Sequence, residues 1–331
     1  MSIVKYNGKV VKYGSKWVNN SSPVPPIPVV DPYTIRFQFS DTSYVPTTGT
    51  TSIHGTWTQI SPGVWDWSYV STSWLEEFRN RLTSSVIGEG NQVRVLNANT
   101  SRNIEHLFVN CSSLVSVTMT LSEETYTASA CFGQCSSLSD VNLTVLGTIT
   151  NANSLFFACS SLVSAPLFDT SHINDFSQMF AQCSSLTDVP AYDLSSATTT
   201  FAMFRSCRAL RGVPLLDLSN VTDAHDMFYA SSIEDIPNFN LSSLQNGSYM
   251  FSYCLGLKSI PLLAMPSITD ASYMFMETEN IEEGALAMYQ QLSGMATPPS
   301  HSLTFTNCGS GTAAGRAELA QIPTSWGGTA S

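Results

Sequence analysis

Charge is scarce in this 331-residue sequence: only 12% of the residues are charged, 14 of them basic and 25 acidic, for a formal net charge of −11. A surface so poor in cations excludes a nucleic-acid binder held through phosphate contacts. No uninterrupted apolar run approaches about 18 residues, so no membrane insertion is expected. The opening MSIVKYNGKVVKYG lacks the apolar run and small-residue cleavage site of a secretory signal, so ordinary export is not expected either. The five histidines form no HExxH pair, GxSxG, P-loop and GxGxxG motifs are missing, and the eight cysteines form no CxxC pair. The expectation is therefore no enzyme, with no catalytic residue, no cofactor and no metal. What is present is 43% hydrophobic residues, 17 of them Phe, enough to fill a sizeable core.

That content is periodic. Phe recurs at 108, 132, 156, 180, 204 and 228 in steps of 24, then at 251, 275 and 305. Three residues after each lies a second rung: Cys111, Cys135, Cys159, Cys183, Cys207, Ser231, Cys254, Thr278 and Cys308. A Leu/Ile rung runs from Leu114 to Ile281, and a proline rung comprises Pro166, Pro190, Pro214, Pro237 and Pro261. Units of about 24 residues are too short to close a core alone, so stacking must supply it. The expected fold is an α/β solenoid with one short strand per coil, such as Leu186–Val189, and a turn of helix at Met179–Cys183. Cysteines in such a ladder all point the same way, which favours buried, reduced packing residues over disulfides.

The units MF-x-x-C-S-S-L and CSSL-x-x-(V/I)-P, carried by residues 106–281, resemble the BspA-type leucine-rich repeats of bacterial and phage surface proteins. The resemblance implies a leucine-rich-repeat-like, right-handed coil used in adhesion or recognition, without enzymatic activity.

The rest of the chain divides around this array. Residues 1–18 hold four of the five lysines and no acid, so this segment is +4 and the remainder −15. Asn7-Gly8 between IVKY and KVVKY signals a β-hairpin. Residues 19–31 form a Pro-rich linker. Residues 32–100, with Trp57, Trp65, Trp67 and Trp74, read as a small β domain capping the solenoid at 101–283. Residues 284–331 read as a C-terminal cap with helices near 283–292 and 313–322, and Trp326 as a plug. The hairpin and linker resemble the anchoring end of a phage fibre or adhesin, which makes Lys5, Tyr6, Lys9, Lys12, Tyr13, Lys16 and Trp17 candidate virion-anchoring residues.

Strand alternation turns Ser116, Thr118, Asp140, Asn142, Ser164, Asp188, Asp235 and Ser259 outward, and these positions vary between coils where the Phe and Cys rungs do not. They are candidate ligand-binding residues, against the alternative that exposed positions simply drift. Arg205, Arg208 and Arg211 form a second candidate set for an anionic ligand, against ordinary surface arginines. The tryptophans could stack on sugars or fill the small domain. Asp223, His225 and Asp226 resemble an acid–base or metal cluster by type, with His172 and Asp175 in the equivalent stretch two coils earlier, but the histidines do not align, His172 matching Asn220, which argues against chemistry there.

The expected function is a bacteriophage virion protein of tail-fibre or adhesin type. It would bind other virion proteins through residues 1–30 and a host-surface glycan or protein through the repeats. It would assemble in the host cytoplasm as a surface-exposed homo-oligomer, a trimer by analogy with fibres. The alternatives are a structural decoration protein of capsid or tail, or a bacterial surface adhesin.

Overall fold

The computed structural model describes residues 5–6, 9–10, 34–40, 55–69, 93–100, 104–121 and 123–329, with side chains for 37–40, 58–64, 104–121 and 123–329. The chain forms two compact units, 1–31 and 32–331. In the first, β1 (Lys5–Tyr6) pairs antiparallel with β2 (Lys9–Val10), Tyr6 opposite Lys9.

The second unit begins with β3 (Thr34–Phe39), β4 (Gly55–Ser61), β5 (Val64–Tyr69) and β6 (Val93–Thr100), followed by β7 (Leu114–Leu121), β8 (Thr125–Thr127), β9 (Asp140–Val145) and β10 (Thr148–Asn151). Six of these form one sheet in the order β4-β5-β3-β6-β7-β9, antiparallel from β4 to β6 and parallel from β6 to β9. The sheet therefore continues without a break from the segment before residue 100 into the repeats. Strands β8 and β10 begin a second, parallel ladder.

The expected strand in every coil is found only in the first two. Beyond residue 151 the first ladder is reduced to single bridges, Ser164 with Asp188 and Ser259 with Glu283. The reason lies one rung further on, where Thr118 and Asn142 sit within β7 and β9 but Pro166, Pro190, Pro214, Pro237 and Pro261 follow. Proline has no N–H to donate, so the ladder cannot extend. The second ladder persists as bridges running Asn151, Asp175, Thr199, Asp223, Asn246, Asp270 and Ser300.

Around each Phe the chain forms linked turns rather than the expected turn of helix. In one coil the N–H groups of Phe176, Gln178, Phe180 and Gln182 donate to the carbonyls of Thr199, Phe201, Met203 and Arg205 in the next, at 2.7–3.1 Å. The intervening N–H groups of Met179, Ala181 and Cys183 close turns onto Phe176, Gln178 and Phe180. Alternate donors thus build the stack and the turn, which leaves no donor of this buried backbone from 178 to 183 unpaired. Turns of this kind can need a positive φ at the third residue, and Gln178 and Gln182 supply it at 56° and 63°. The same pair of positions recurs in each coil, from His106 and Asn110 to Leu303 and Asn307, eighteen non-glycine residues in all. None is Val, Ile or Thr, the residues that tolerate a left-handed backbone least.

The rungs fill the interior. The nine Phe rings, from Phe108 to Phe305, form one column with neighbouring centroids 5.3–5.9 Å apart and planes within 15° of parallel. All nine are fully buried. Trp326 covers the last ring, 6.5 Å from Phe305, while stacking on His301 at 3.8 Å. The step from Phe275 to Phe305 lengthens to admit α1 (Ala285–Ser293), and α2 (Ala313–Leu319) follows. The Glu318 carboxylate on α2 accepts the Gly284 and Leu286 N–H groups at 3.3 and 3.0 Å, placing negative charge at the positive end of α1.

Two substitutions test this account. Phe180→Ala should lower stability by roughly 3–5 kcal/mol in chemical denaturation, and a loss below about 1 kcal/mol would show that the ring column carries little of the fold. Gln182→Val should cost about 1–2 kcal/mol while Gln182→Gly stays near neutral, because a branched Cβ adds to the strain that glutamine already carries in the left-handed region and glycine, at some cost in chain entropy, removes it. Equal effects from both would remove the turn geometry as the constraint on this position.

Candidate functional site

The backbone pairings collect the outward-facing candidates into lines. Ser116 lies opposite Asp140 and Thr118 opposite Asn142 in the β7–β9 pair, and Ser164 bridges to Asp188. Asp235 and Ser259 occupy the same register in later coils, and Glu283, which sequence reasoning did not select, bridges to Ser259 and extends the line. Thr118, Asp140, Asn142, Ser164, Asp188 and Asp235 are exposed, and Ser116 and Ser259 are half-buried, while their neighbours Val117, Val189, Ile236 and Ile260 are buried. The result is a strip of hydroxyls and carboxylates at coil spacing, suited to hydrogen bonding. The adjacent line carries Arg211, Glu234, Lys258 and Glu282, alternating in sign; Arg211 and Glu234 approach to 3.5 Å, both well exposed, a pair worth little to stability.

The three arginines do not converge. Arg205 pairs with Asp226 and lies over the Tyr229 ring, 4.2 Å from its centroid. Arg211 faces Glu234, and Arg208 is exposed. An anion held jointly by all three finds two of them engaged by carboxylates.

Asp223 and His225 have local roles. The Asp223 carboxylate accepts the His225 backbone N–H at 3.2 Å and contacts its Nδ1 at 2.7 Å, and the imidazole stacks on Phe201 at 4.0 Å. Asn151, Asp175, Asn246 and Asp270 each accept the N–H two residues ahead in the same way, so this register caps turns. Burial raises the Asp226 carboxyl above its usual range, although Arg205 and His225 pull it down. Among the described residues no three His, Cys, Asp or Glu side chains form a group able to hold a metal ion.

The eight cysteines are free and buried. The rung does more than fill space: Cys135, Cys159, Cys183, Cys207 and Cys254 each donate Sγ–H to the Phe carbonyl one coil back, at 3.0–3.1 Å. The residues that replace cysteine, Ser231 and Thr278, also carry a donor, and Thr278 gives its hydroxyl to the Phe275 carbonyl at 2.6 Å. Burial pushes the Cys159, Cys254 and Cys308 thiols up to about 12, and those of Cys131, Cys135, Cys183 and Cys207 upward as well. Such thiols stay protonated, the form that donates, and are poor nucleophiles.

Sequence reasoning missed a group of tyrosines on the turn segments. Tyr249 and Tyr273 stack at 4.5 Å, and Tyr229 lies 6.3 Å from Tyr249 and 5.4 Å from Tyr253. The available signal was spacing: Tyr249 and Tyr273 stand one period of 24 apart, each two residues before a rung Phe, and Tyr229 and Tyr253 lie just after the preceding two rung Phe residues. Of the anchoring candidates, Lys5, Tyr6 and Lys9 lie on the paired β1 and β2, and Lys12, Tyr13, Lys16 and Trp17 fall outside the described residues. Trp57 pairs with Trp67 and Gln59 with Trp65 across β4 and β5, and Trp74 is also outside the described residues.

A family model described as "Mycoplasma protein of unknown function, DUF285" matches residues 126–234 and, in a second placement, 215–288, just under half of the chain, covering most of the repeats and ending at the start of α1. The match is compatible with a BspA-type surface repeat protein. No curated protein and no solved structure matches the chain.

The thiol ladder generates a prediction with a definite sign. Thiols raised from 9.0 to about 12 hold their protons in the folded state at pH values where the unfolded chain releases them. Stability should therefore be fully present below pH 9 and fall as the pH rises toward 12. Near pH 8 an alkylating reagent should modify none of the eight cysteines in the native protein and all eight after denaturation; rapid native labelling would contradict the buried ladder.

Proposed function

We propose that this chain is a non-enzymatic recognition protein of a bacteriophage particle, tail fibre or adhesin in type. In this reading the repeats form a leucine-rich-repeat-like, right-handed solenoid that contacts a host-surface glycan or protein, and residues 1–30 join the chain to other virion proteins. The observation that carries the reading is the contrast within one chain between invariant and variable positions. Along the outward strip the residue changes from each coil to the next, through Ser116, Asp140, Ser164, Asp188, Gly212, Asp235, Ser259 and Glu283, while the Phe column never changes. A scaffold whose interior fixes the spacing and whose exterior is free to differ suits recognition of an extended surface. The basic segment 1–18 and the paired β1 and β2, in a compact unit of their own, support a separate docking role. A bacterial surface adhesin is the second reading, favoured by the match to a surface repeat family.

Binding of the full chain to whole cells of candidate bacterial hosts, before and after periodate treatment, tests recognition. Saturable binding is expected, its loss after periodate identifying a carbohydrate receptor. Asp188→Ala should weaken binding if the strip makes the contact, with little change in stability. Deleting residues 1–30 should abolish incorporation into particles while cell binding survives. A chain that binds no host and still enters particles would leave a structural decoration protein as the better account.

A further inference from the structure

We propose that the tyrosine cluster of the later coils, Tyr229, Tyr249, Tyr253 and Tyr273 with Arg205 and Asp226, is a binding platform for a neutral saccharide chain. The proposal rests on the recognition reading and names a site and ligand class for it on the turn segments rather than the outward strip.

The core does not require these rings, since the Phe column and its flanking Leu and Met residues already fill the interior. All four tyrosines are half-buried or exposed, and Tyr253 retains 39% of its surface. Nor does the backbone ask for them. Tyr249, Tyr253 and Tyr273 sit at φ 57–60°, in the register that earlier coils fill with Gln178, Gln182, Ala202 and Ser206. A bulky aromatic in the left-handed region is unusual and carries a cost, and such costs concentrate at functional sites. Three in two adjacent coils, Tyr249 stacked on Tyr273 and Tyr253 packed at a tilt against Tyr229, indicate a use outside the fold.

The surroundings select the ligand. Arg205 lies over the Tyr229 ring and its charge is met by Asp226, which fixes one edge of the platform. The other nearby charges are carboxylates: Asp226 and Asp270 act on Tyr249, and Glu277 acts on Tyr253. This excess of negative charge disfavours an anionic ligand. Each carboxylate is held in place by a donor, Asp226 by Arg205, Asp270 by the Ser272 N–H at 2.9 Å and Glu277 by the Asn307 amide at 2.9 Å, which fixes their remaining lone pairs as acceptors for hydroxyl donors. What remains is aromatic face rimmed by phenol hydroxyls and by the spare lone pairs of held carboxylates. That combination fits a pyranose ring, with its apolar C–H face and its edge of hydroxyl donors.

The test uses the full chain and immobilised neutral oligosaccharides of glucose, galactose, mannose and N-acetylglucosamine, alongside the cell-binding measurement. The wild type should bind at least one series. Tyr253→Ala combined with Tyr273→Ala should weaken that binding by about tenfold or more, as loss of central aromatic anchors does. Its melting temperature should stay close to wild type. Saccharide binding that survives the double substitution would overturn the site while leaving recognition intact. Binding to periodate-treated cells with none to the saccharides would overturn the ligand class in favour of a protein receptor. Binding to neither would overturn the platform and the recognition reading together.

Discussion

The spacing between coils is set by backbone hydrogen bonds, and every other feature has to accommodate it. Alternate N–H groups on the turn segment reach the next coil at 2.7–3.1 Å, which brings equivalent side chains to about the separation of neighbouring strands. Flat rings meet that repeat well, because an offset face-to-face stack is close to the preferred aromatic arrangement. Charges meet it badly, because a rung of one sign would place like charges at about 5 Å along the whole array. The low charge content follows from this. One charged register alternates, Arg211, Glu234, Lys258 and Glu282, whereas in another Asp169, Asp193 and Asp217 follow one another, each exposed carboxylate accepting the N–H two residues ahead and so capping a turn.

A second consequence concerns the ends. A stack held by backbone donors exposes unpaired donors and acceptors where it stops. At the N-terminal side of the repeats the solution is continuity, with β6 pairing parallel to β7 and antiparallel to β3, so that the first repeat strand joins an existing sheet. At the C-terminal side it is substitution. The Phe305 N–H donates to the Trp326 carbonyl at 2.8 Å, and the indole lies on the end of the ring column. Gly284 turns the chain into α1 at φ 99°, where a Cβ would stand 2.1 Å from the Ile260 carbonyl oxygen, so no other residue fits.

What the sequence discloses of this fold is whatever repeats in residue type. The Phe, Cys and Leu registers could be read directly, and so could the two C-terminal helices, because the period lengthens to admit the first. Backbone conformation was hidden where no residue type marks it. The left-handed positions are filled by His, Asn, Ala, Gln, Ser, Asp, Tyr, Glu and Leu in turn, and their common property is only that none is β-branched. The proline register was visible but its effect was misjudged, since a rung of prolines after the strand limits the ladder to single bridges. The cysteine register was legible as packing but not as a set of donors, although its replacement by Ser and Thr, never by Ala, carried that information.

The candidate surfaces divide along the same line. On the outward strip a side chain can change at almost no cost, so variety there is compatible with selection for binding and also with neutral drift. The turn segments are more restrictive, because a residue there must accept a positive φ and lie against its equivalents one coil away. Tyrosine is a poor choice on the first count and a good one on the second. Its appearance at three such positions in the coils around Phe251 and Phe275, and at none in the coils before them, is therefore harder to attribute to drift than any substitution on the strip. A position where the fold opposes a residue carries more functional information than one where it is indifferent, and on that ground the turn side of these later coils outweighs the sheet side.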